Sequence, residues 1–321
     1  MQADTVSMTQ NEKNEVQNPV WGGVYSLALG AFALVASEFM PVSLLTPIAA
    51  DLHISEGQAG QAISISGAFA VLTSLFISAL AGEIDRKRLL LLLSGVTILS
   101  GTVVAAAPNY EIFMVGRALI GVAIGGFWSM SAATALRLVP HRDVPKALAI
   151  LNGGNALATV IAAPMGSYLG GLIGWRGAFF LVVPIATAVM VWQFISLPSM
   201  TSGSRTRATQ AFRLLNRPVV ASGMAAASIF FMGQFSLFTY LRPFLEEVDH
   251  VDVSTLSLLL LLMGMTGFFG TMLAGRIVNN HLYRALVVVP TLMAVIACGL
   301  IAFNQSIFTV AILLAFWGFF A

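Results

Sequence analysis

Apolar runs separated by short polar breaks dominate the chain, and ten of them stand out: 22–48, 59–81, 89–107, 111–138, 146–171, 175–196, 218–241, 254–277, 283–303 and 307–321. A helix needs about 20 predominantly apolar residues to cross a bilayer. The pattern therefore predicts ten spanning helices, the last of them cut off at Ala321. Every second break is basic, holding Arg86, Lys87 and Arg88, then Arg137, Arg142 and Lys146, then Arg205, Arg207, Arg213 and Arg217, then Arg276 and Arg284. The alternate breaks hold Arg176 and Arg242 beside Asp51, Glu56, Glu111, Glu246, Glu247, Asp249 and Asp252. Basic loops stay cytoplasmic during insertion, which predicts a cytoplasmic N-terminus.

The longest basic break separates the sixth and seventh runs and reads as a linker. It divides the chain into an N-terminal tail (1–20), a six-helix bundle (21–198), a cytoplasmic linker (199–217) and a second, incomplete bundle (218–321). A weak repeat supports the division: SALAGEIDRKRLLLL after the second run is similar to TMLAGRIVNNHLYRAL after the eighth, with Ala81-Gly82 matching Ala274-Gly275. Residues 1–20 are polar with no apolar core, so no cleavable signal peptide is expected there and the first run is read as a retained span.

Composition narrows the class. The chain is 58% hydrophobic and 9% charged with a mean hydropathy of +0.88, whereas a soluble domain carries about 25% charged residues. A lipid bilayer is its expected surroundings. The net charge of +2 is spread over short loops and builds no face for nucleic acid. A single cysteine, Cys298, rules out a disulfide framework. The four histidines are scattered, and there is no phosphate-binding glycine loop, no HExxH and no G-x-S-x-G. Neither an enzyme nor a cofactor is expected, and any uphill transport would draw on an ion gradient.

Glu38 sits in the middle of the first run, in ALVASEFMPVSLLTP. A carboxylate at the centre of a membrane helix costs about 2.5–3.5 kcal/mol on insertion scales, so it usually faces a cavity or a partner and marks function. Arg117 is the other ionisable group within a span, and it stays charged at any accessible pH. Desolvation disfavours the charged carboxylate while a guanidinium partner favours it; the balance stays open at this level, and either residue can equally serve as a structural brace. Gly121 and Gly125 lie four apart on one helical face, where small residues let helices approach closely. Pro164 and Gly166 weaken the fifth run and allow it to bend. Ser37, Trp128, Ser129, Asn152, Asn155, Gln234, Phe238 and Tyr240 are polar or aromatic residues inside spans. Each has a packing role open to it; together they suit a cavity for a neutral, moderately polar solute.

At these residues the chain resembles the major facilitator superfamily in its drug:proton antiporter branch. Asp85-Arg86 matches the core of the loop motif G-x-L-A-D-R-x-G-R-K, with Ala81 and Arg88 in place of its glycines, and Arg117 with Gly121 matches the fourth-span R-x-x-x-G. Pro164 and Gly166 are similar to the fifth-span antiporter motif, with Ala163 where its glycine belongs. The stretches EFMPVSLLTPIAADLHISEGQAGQ, GGFWSMSAATALRLVPHRDVPKAL and GQFSLFTYLRP resemble the superfamily's bacterial purine nucleoside exporters.

The resemblance implies an all-α polytopic fold of two six-helix bundles with twelve spans, here ending within the tenth. It also implies residence in a bacterial inner membrane and export of inosine-like solutes in exchange for protons. Glu38 and Arg117 would then serve proton coupling, and Asp85, Arg86, Gly121, Gly125, Pro164 and Gly166 gating and helix packing. The substrate would meet Ser37, Trp128, Asn152, Asn155, Gln234, Phe238 and Tyr240. A sugar or multidrug exporter of the same superfamily, or an inactive fragment, fits the same residues.

Overall fold

The structure is a computed structural model that describes residues 19–80, 84–200, 216–248, 251–303 and 306–320, without the side chains of 78–80, 248 and 274–282. Among the described residues there are nine α-helices and no strand. They are α1 (Trp21–Leu52), α2 (Glu56–Leu80), α3 (Arg86–Ala105), α4 (Tyr110–Leu138), α5 (Val144–Phe180), α6 (Val182–Ser196), α7 (Pro218–Val248), α8 (Val253–Ala302) and α9 (Ile307–Phe320). The repeat dipeptide Ala81-Gly82 and most of the 199–217 linker lie outside the described residues, as does the 1–20 tail except for its last two positions.

The polar breaks end helices by recognisable means. His53, in left-handed backbone with φ 53°, closes α1 by donating its N–H to the Ala49 carbonyl. Asp85 caps α3 by accepting from the N–H groups of Lys87 and Arg88, and Asn109 caps α4 through Ile112. The fifth and sixth runs part at Gly174, whose φ of 75° and ψ of 163° break the helical path inside α5.

The eighth and ninth runs differ from expectation. Helical backbone continues through the polar break between them, so both runs, Val253–Leu273 and Tyr283–Ala302, belong to the 50-residue α8. The break contains no proline or glycine between Ile277 and Ala285 to stop a helix. Ala274 and Gly275 lie within this helix.

Helix contacts follow backbone approach at small residues. On α4, Arg117, Gly121 and Gly125 step four residues at a time along α2: Arg117 reaches the Ala62 carbonyl, and a Cβ on Gly121 or Gly125 would lie 2.2 Å from the Ser66 carbonyl or 2.1 Å from the Ala70 carbonyl. Any side chain at either glycine would force the helices apart. Similarly, Gly154 of α5 rests on Ala28 of α1, and Gly166 and Gly170 rest on Ser43 and Leu44. Residue numbers rise together in these pairs, as parallel helices require. Between α5 and α8 they run oppositely, with Gly171 meeting Val253 and Gly264 meeting Val160. Both directions agree with spans that alternate across a membrane.

Helices α1–α6 enclose two large apolar cores, one around Leu27, Leu90, Ile120 and Leu138 and one around Leu44, Ile48, Phe113, Trp175 and Phe179, with a small patch of Val35, Ala36, Ala158 and Ala162 between α1 and α5. A third core joins α7, α8 and α9 around Leu245, Leu256, Leu260 and Leu314, and Ala163 of α5 inserts into it. That intrusion ties the first six helices to the last three.

Gly125→Leu is expected to lower the thermal stability of the detergent-solubilised protein by about 1–3 kcal/mol through overpacking. Gly95→Ala, whose Cβ would meet nothing within 4 Å, is the control and should hold or slightly raise the unfolding temperature, because a glycine inside a helix costs about 0.5–1 kcal/mol relative to alanine. Equal effects from both would show that the α2–α4 approach does not limit stability.

Candidate functional site

Helix α1 carries two prolines, Pro41 and Pro47. A proline has no N–H, so it leaves the carbonyl four residues earlier without its helical partner. The freed carbonyls are those of Ser37 and Ser43. Arg117 of α4 donates from Nη1 to the Ser37 carbonyl at 2.9 Å, and Arg242 of α7 donates from Nη1 to the Ser43 carbonyl. Each orphaned acceptor therefore receives a guanidinium from a different helix.

Arg117 is fully buried. Its Nε donates to the Ala62 carbonyl at 3.3 Å, and its Nη2 donates to Glu38 Oε2 at 2.7 Å and to Ser66 Oγ at 3.3 Å. Ser66 in turn donates to Glu38 Oε1 at 2.6 Å. Glu38 keeps 19% of its side chain exposed, so it is the more accessible member of the pair. A buried guanidinium that loses its counter-ion costs about 3–5 kcal/mol, which makes this cluster both a brace for three helices and a site whose charge balance matters.

Beside Glu38, Phe39 turns toward a cavity of about 800 Å³ bounded by α1, α5, α7, α8 and α9. Its polar lining is Asn152, Asn155, Thr159, Gln234 and Thr271, and its rings are Phe39, Phe235, Phe238, Phe268 and Trp317. No Asp, Glu, Lys or Arg lines it among the described residues. Phe39 stacks on Phe235 with centroids 6.1 Å apart and meets Phe238 edge-on at 5.6 Å. The Gln234 side-chain oxygen is buried without a hydrogen-bond partner.

Of the residues singled out in the sequence, Asn152, Asn155, Gln234 and Phe238 reach this cavity. Ser37, Trp128 and Tyr240 do not line it. Ser37 is buried and its carbonyl serves Arg117. Trp128 stands on α4, which contributes nothing to the lining, and packs edge-on against Phe127. Tyr240 follows Phe238 by two positions, about 200° around the helix, and its hydroxyl lies where a Cβ on Gly60 would be 2.6 Å away. The Ser129 hydroxyl bonds to the Gly126 carbonyl. Phe39, Thr159, Phe235, Phe268, Thr271 and Trp317 were not legible as lining residues, because a phenylalanine or threonine in an apolar helix reads as packing. A signal existed for Phe39, Phe235 and Thr159: they adjoin, or lie within four positions of, a residue already singled out.

Above the cavity, at the end that carries the acidic loops, the first six helices close on α7 and α8. Arg242 is buried there, held by Glu246 at 2.8 Å and by the Ser43 carbonyl. Gly171 meets Val253, and Gly264 abuts the backbone of Val160, whose carbonyl Pro164 leaves free. Beyond this closure, Asp51 holds Arg176 and accepts from Trp175 Nε1, and Arg176 also donates to the Ala107 carbonyl.

The profile of the Major Facilitator Superfamily matches residues 27–321. The chain belongs to the major facilitator superfamily. It is 58% identical over 314 residues to "Transcription regulatory protein OpdE" of Pseudomonas aeruginosa, covering 97% of this chain and 78% of that protein. It is 39% identical over 303 residues to "Purine ribonucleoside efflux pump NepI" of Salmonella paratyphi B, covering 94% and 76%. Among solved structures, a bacterial homolog of the human lysosomal transporter Spinster, in an inward-facing and unoccupied conformation, superposes with a TM-score of 0.72 at 16% identity over 95% of this chain and 74% of that one. A D-xylose-proton symporter superposes at 0.66 with 13% identity, covering 94% and 80%. Membership makes the chain a multi-pass membrane transporter and not an enzyme.

Two superfamily motifs acquire local reasons here. In R-x-x-x-G, Gly121 admits the α2 backbone one turn beyond Arg117, which brings Ala62 and Ser66 within reach of the guanidinium. In the loop motif, Asp85 accepts at 2.6 Å from both the Ser199 hydroxyl and the Met200 N–H, tying the segment after α6 to the start of α3. Burial raises the affinity of Asp85 for a proton, but bonds from Ser199 and from the N–H groups of Arg88, Met200 and Lys87 outweigh it and hold the carboxyl below the usual aspartate range.

Two outcomes are expected. In a Cys298→Ser background, cysteines replacing Gly171 and Val253 should cross-link readily; Arg242→Ala should cut the yield several-fold, and Pro47→Ala, which returns an N–H to compete for the Ser43 carbonyl, should cut it less. An unchanged yield would remove Arg242 from the closure. Because Asp85 is depressed in the folded state, its contribution is complete above the unfolded aspartate value of about 3.9 and is lost as pH falls through the lower folded value. Hydrogen exchange should show the Met200 amide losing protection in that acid window, and Asp85→Asn should weaken that protection at neutral pH.

Proposed function

We propose that this protein exports purine-ribonucleoside-like solutes across a bacterial inner membrane in exchange for protons, by alternating access. The cavity carries the reading: about 800 Å³, with amides and hydroxyls to bond a sugar or base edge, rings to stack on a flat base, and no charged side chain among its described lining residues. Such a lining suits a neutral, flat, polar solute. The similarity to a protein named as a purine ribonucleoside efflux pump supports the same class.

Read by the positive-inside rule, the basic loops and the N-terminus are cytoplasmic. The Arg242 clasp, at the end that carries the acidic loops, is then periplasmic, which supports an inward-facing reading. Glu38 is the proton carrier, because it is the acid next to the cavity and the more exposed partner of Arg117. Protonation removes the carboxylate that Arg117 holds, while solute occupies the cavity in the other half-cycle; coupling follows when each ligand favours a different state. Inward proton movement supplies about 2.3 kcal/mol per 100 mV and about 1.36 kcal/mol per pH unit, enough to sustain a substantial gradient of a neutral solute.

The relative named as a transcription regulatory protein gives no solute by its name, so the solute class rests on the cavity and on the relative named as an efflux pump. A sugar or multidrug exporter is the second reading, favoured by the breadth of the ring-lined cavity.

Everted vesicles with an acidic interior should accumulate labelled inosine, and an uncoupler should release it. Glu38→Gln should abolish accumulation while preserving membrane insertion, since the amide oxygen still accepts from Arg117. Unchanged accumulation in that variant would remove Glu38 from coupling, and indifference to inosine in the wild type would favour the second reading.

A further inference from the structure

Glu38 meets its two oxygens' partners asymmetrically. Oε2 faces Arg117 Nη2, which can donate hydrogen bonds but never accept one. Oε1 faces the Ser66 hydroxyl at 2.6 Å. A proton arriving at Glu38 therefore settles on Oε1, and the resulting O–H needs an acceptor. Ser66 is that acceptor only if its own proton has somewhere else to go.

It has: the Ser66 hydroxyl also lies 2.9 Å from the Ile63 carbonyl on its own helix. A hydroxyl has one proton and two lone pairs, so it cannot donate to Glu38 and Ile63 at once. With Glu38 ionised, Ser66 donates to Oε1. With Glu38 neutral, Ser66 turns its proton to Ile63, accepts from the new Glu38 O–H, and still accepts from Arg117 Nη2 at 3.3 Å. Every polar atom keeps a partner in both states, and the only motion is rotation of one hydroxyl.

We propose that Ser66 is a positioning residue for proton coupling, a two-way hydrogen-bond partner that lets Glu38 change protonation state inside the membrane without leaving a polar group unpaired. The inference rests on the reading of Glu38 as the proton carrier. No net proton passes through Ser66; the proton exchanged enters and leaves at the carboxyl of Glu38, the member of the Glu38–Arg117 pair that remains partly exposed. Gly121 fixes the arrangement, because the α4 backbone approaches the Ser66 carbonyl more closely than any side chain would allow. Among the described residues Arg117 on α4 is the one charged group facing Glu38; the other helices packed on α1 present it none.

The test is a pH titration of purified protein in lipid without solute, followed by infrared difference spectroscopy of the protonated-carboxyl stretch. The Glu38 band is the one missing in Glu38→Gln. In Ser66→Ala the band should move to higher frequency, toward that of an acid whose O–H is unbonded. In Ser66→Thr, which keeps the hydroxyl, it should stay in place. A band that Ser66→Ala leaves unmoved, or that Ser66→Thr displaces as alanine does, overturns the role of Ser66 while Glu38 stands as carrier. Absence of any Glu38-dependent band over the whole titration overturns both.

Discussion

A guanidinium with no access to solvent must find its acceptors inside the protein, and Arg117 finds them on two helices: a carboxylate and a proline-freed carbonyl on α1, and a carbonyl and a hydroxyl on α2. The cost of an unpaired charge at that depth is several kcal/mol, so α1, α2 and α4 are held in one register by electrostatics as much as by packing. Gly121 and Gly125 make the register possible by letting α4 lie against the α2 backbone. The arginine and the glycines are one device, since neither works at another helix separation.

The same chemistry recurs between the two groups of helices, where Pro47 frees Ser43 for Arg242. Pro164 likewise frees the Val160 carbonyl, against which Gly264 brings the α8 backbone close. Backbone polar groups in a membrane have to be satisfied within the protein. A proline that exposes a carbonyl therefore creates a demand that a neighbouring helix can meet. A contact of this kind can be made and broken as the groups move, because it depends on one hydrogen bond and a close approach more than on a deeply interlocked core. The apolar insertion of Ala163 into the third core lies at the same interface.

Under the proposed cycle, the cavity and the Glu38–Arg117 pair communicate through α1. Phe39 lines the cavity and stacks with α7, while the adjacent Glu38, about 100° around the helix, faces Arg117. Solute pressing on Phe39 and a proton arriving at Glu38 act on consecutive residues of one rigid element. Two ligands that bias the same element are coupled without any longer route.

Much was legible in the chain because membrane physics leaves few options. Apolar runs of spanning length, alternation of basic loops, and one acid and one arginine stranded within them determined the helical class, the span order and the candidate charge pair. The motif residues Asp85, Arg117 and Gly121 then pointed to the family. What tertiary structure decided was which faces meet. Helical periodicity says that Asn152 and Asn155 share a side, but not that Gln234 of α7 and Trp317 of α9 lie across from them, nor that Tyr240 and Trp128 turn elsewhere. That Ser66 stands between Glu38 and Arg117 was equally hidden, since a serine bonded to its own helix backbone has the same sequence signature. The roles of Pro41 and Pro47 required both partners to be seen: sequence shows that a proline releases a carbonyl, and only the fold shows which arginine takes it.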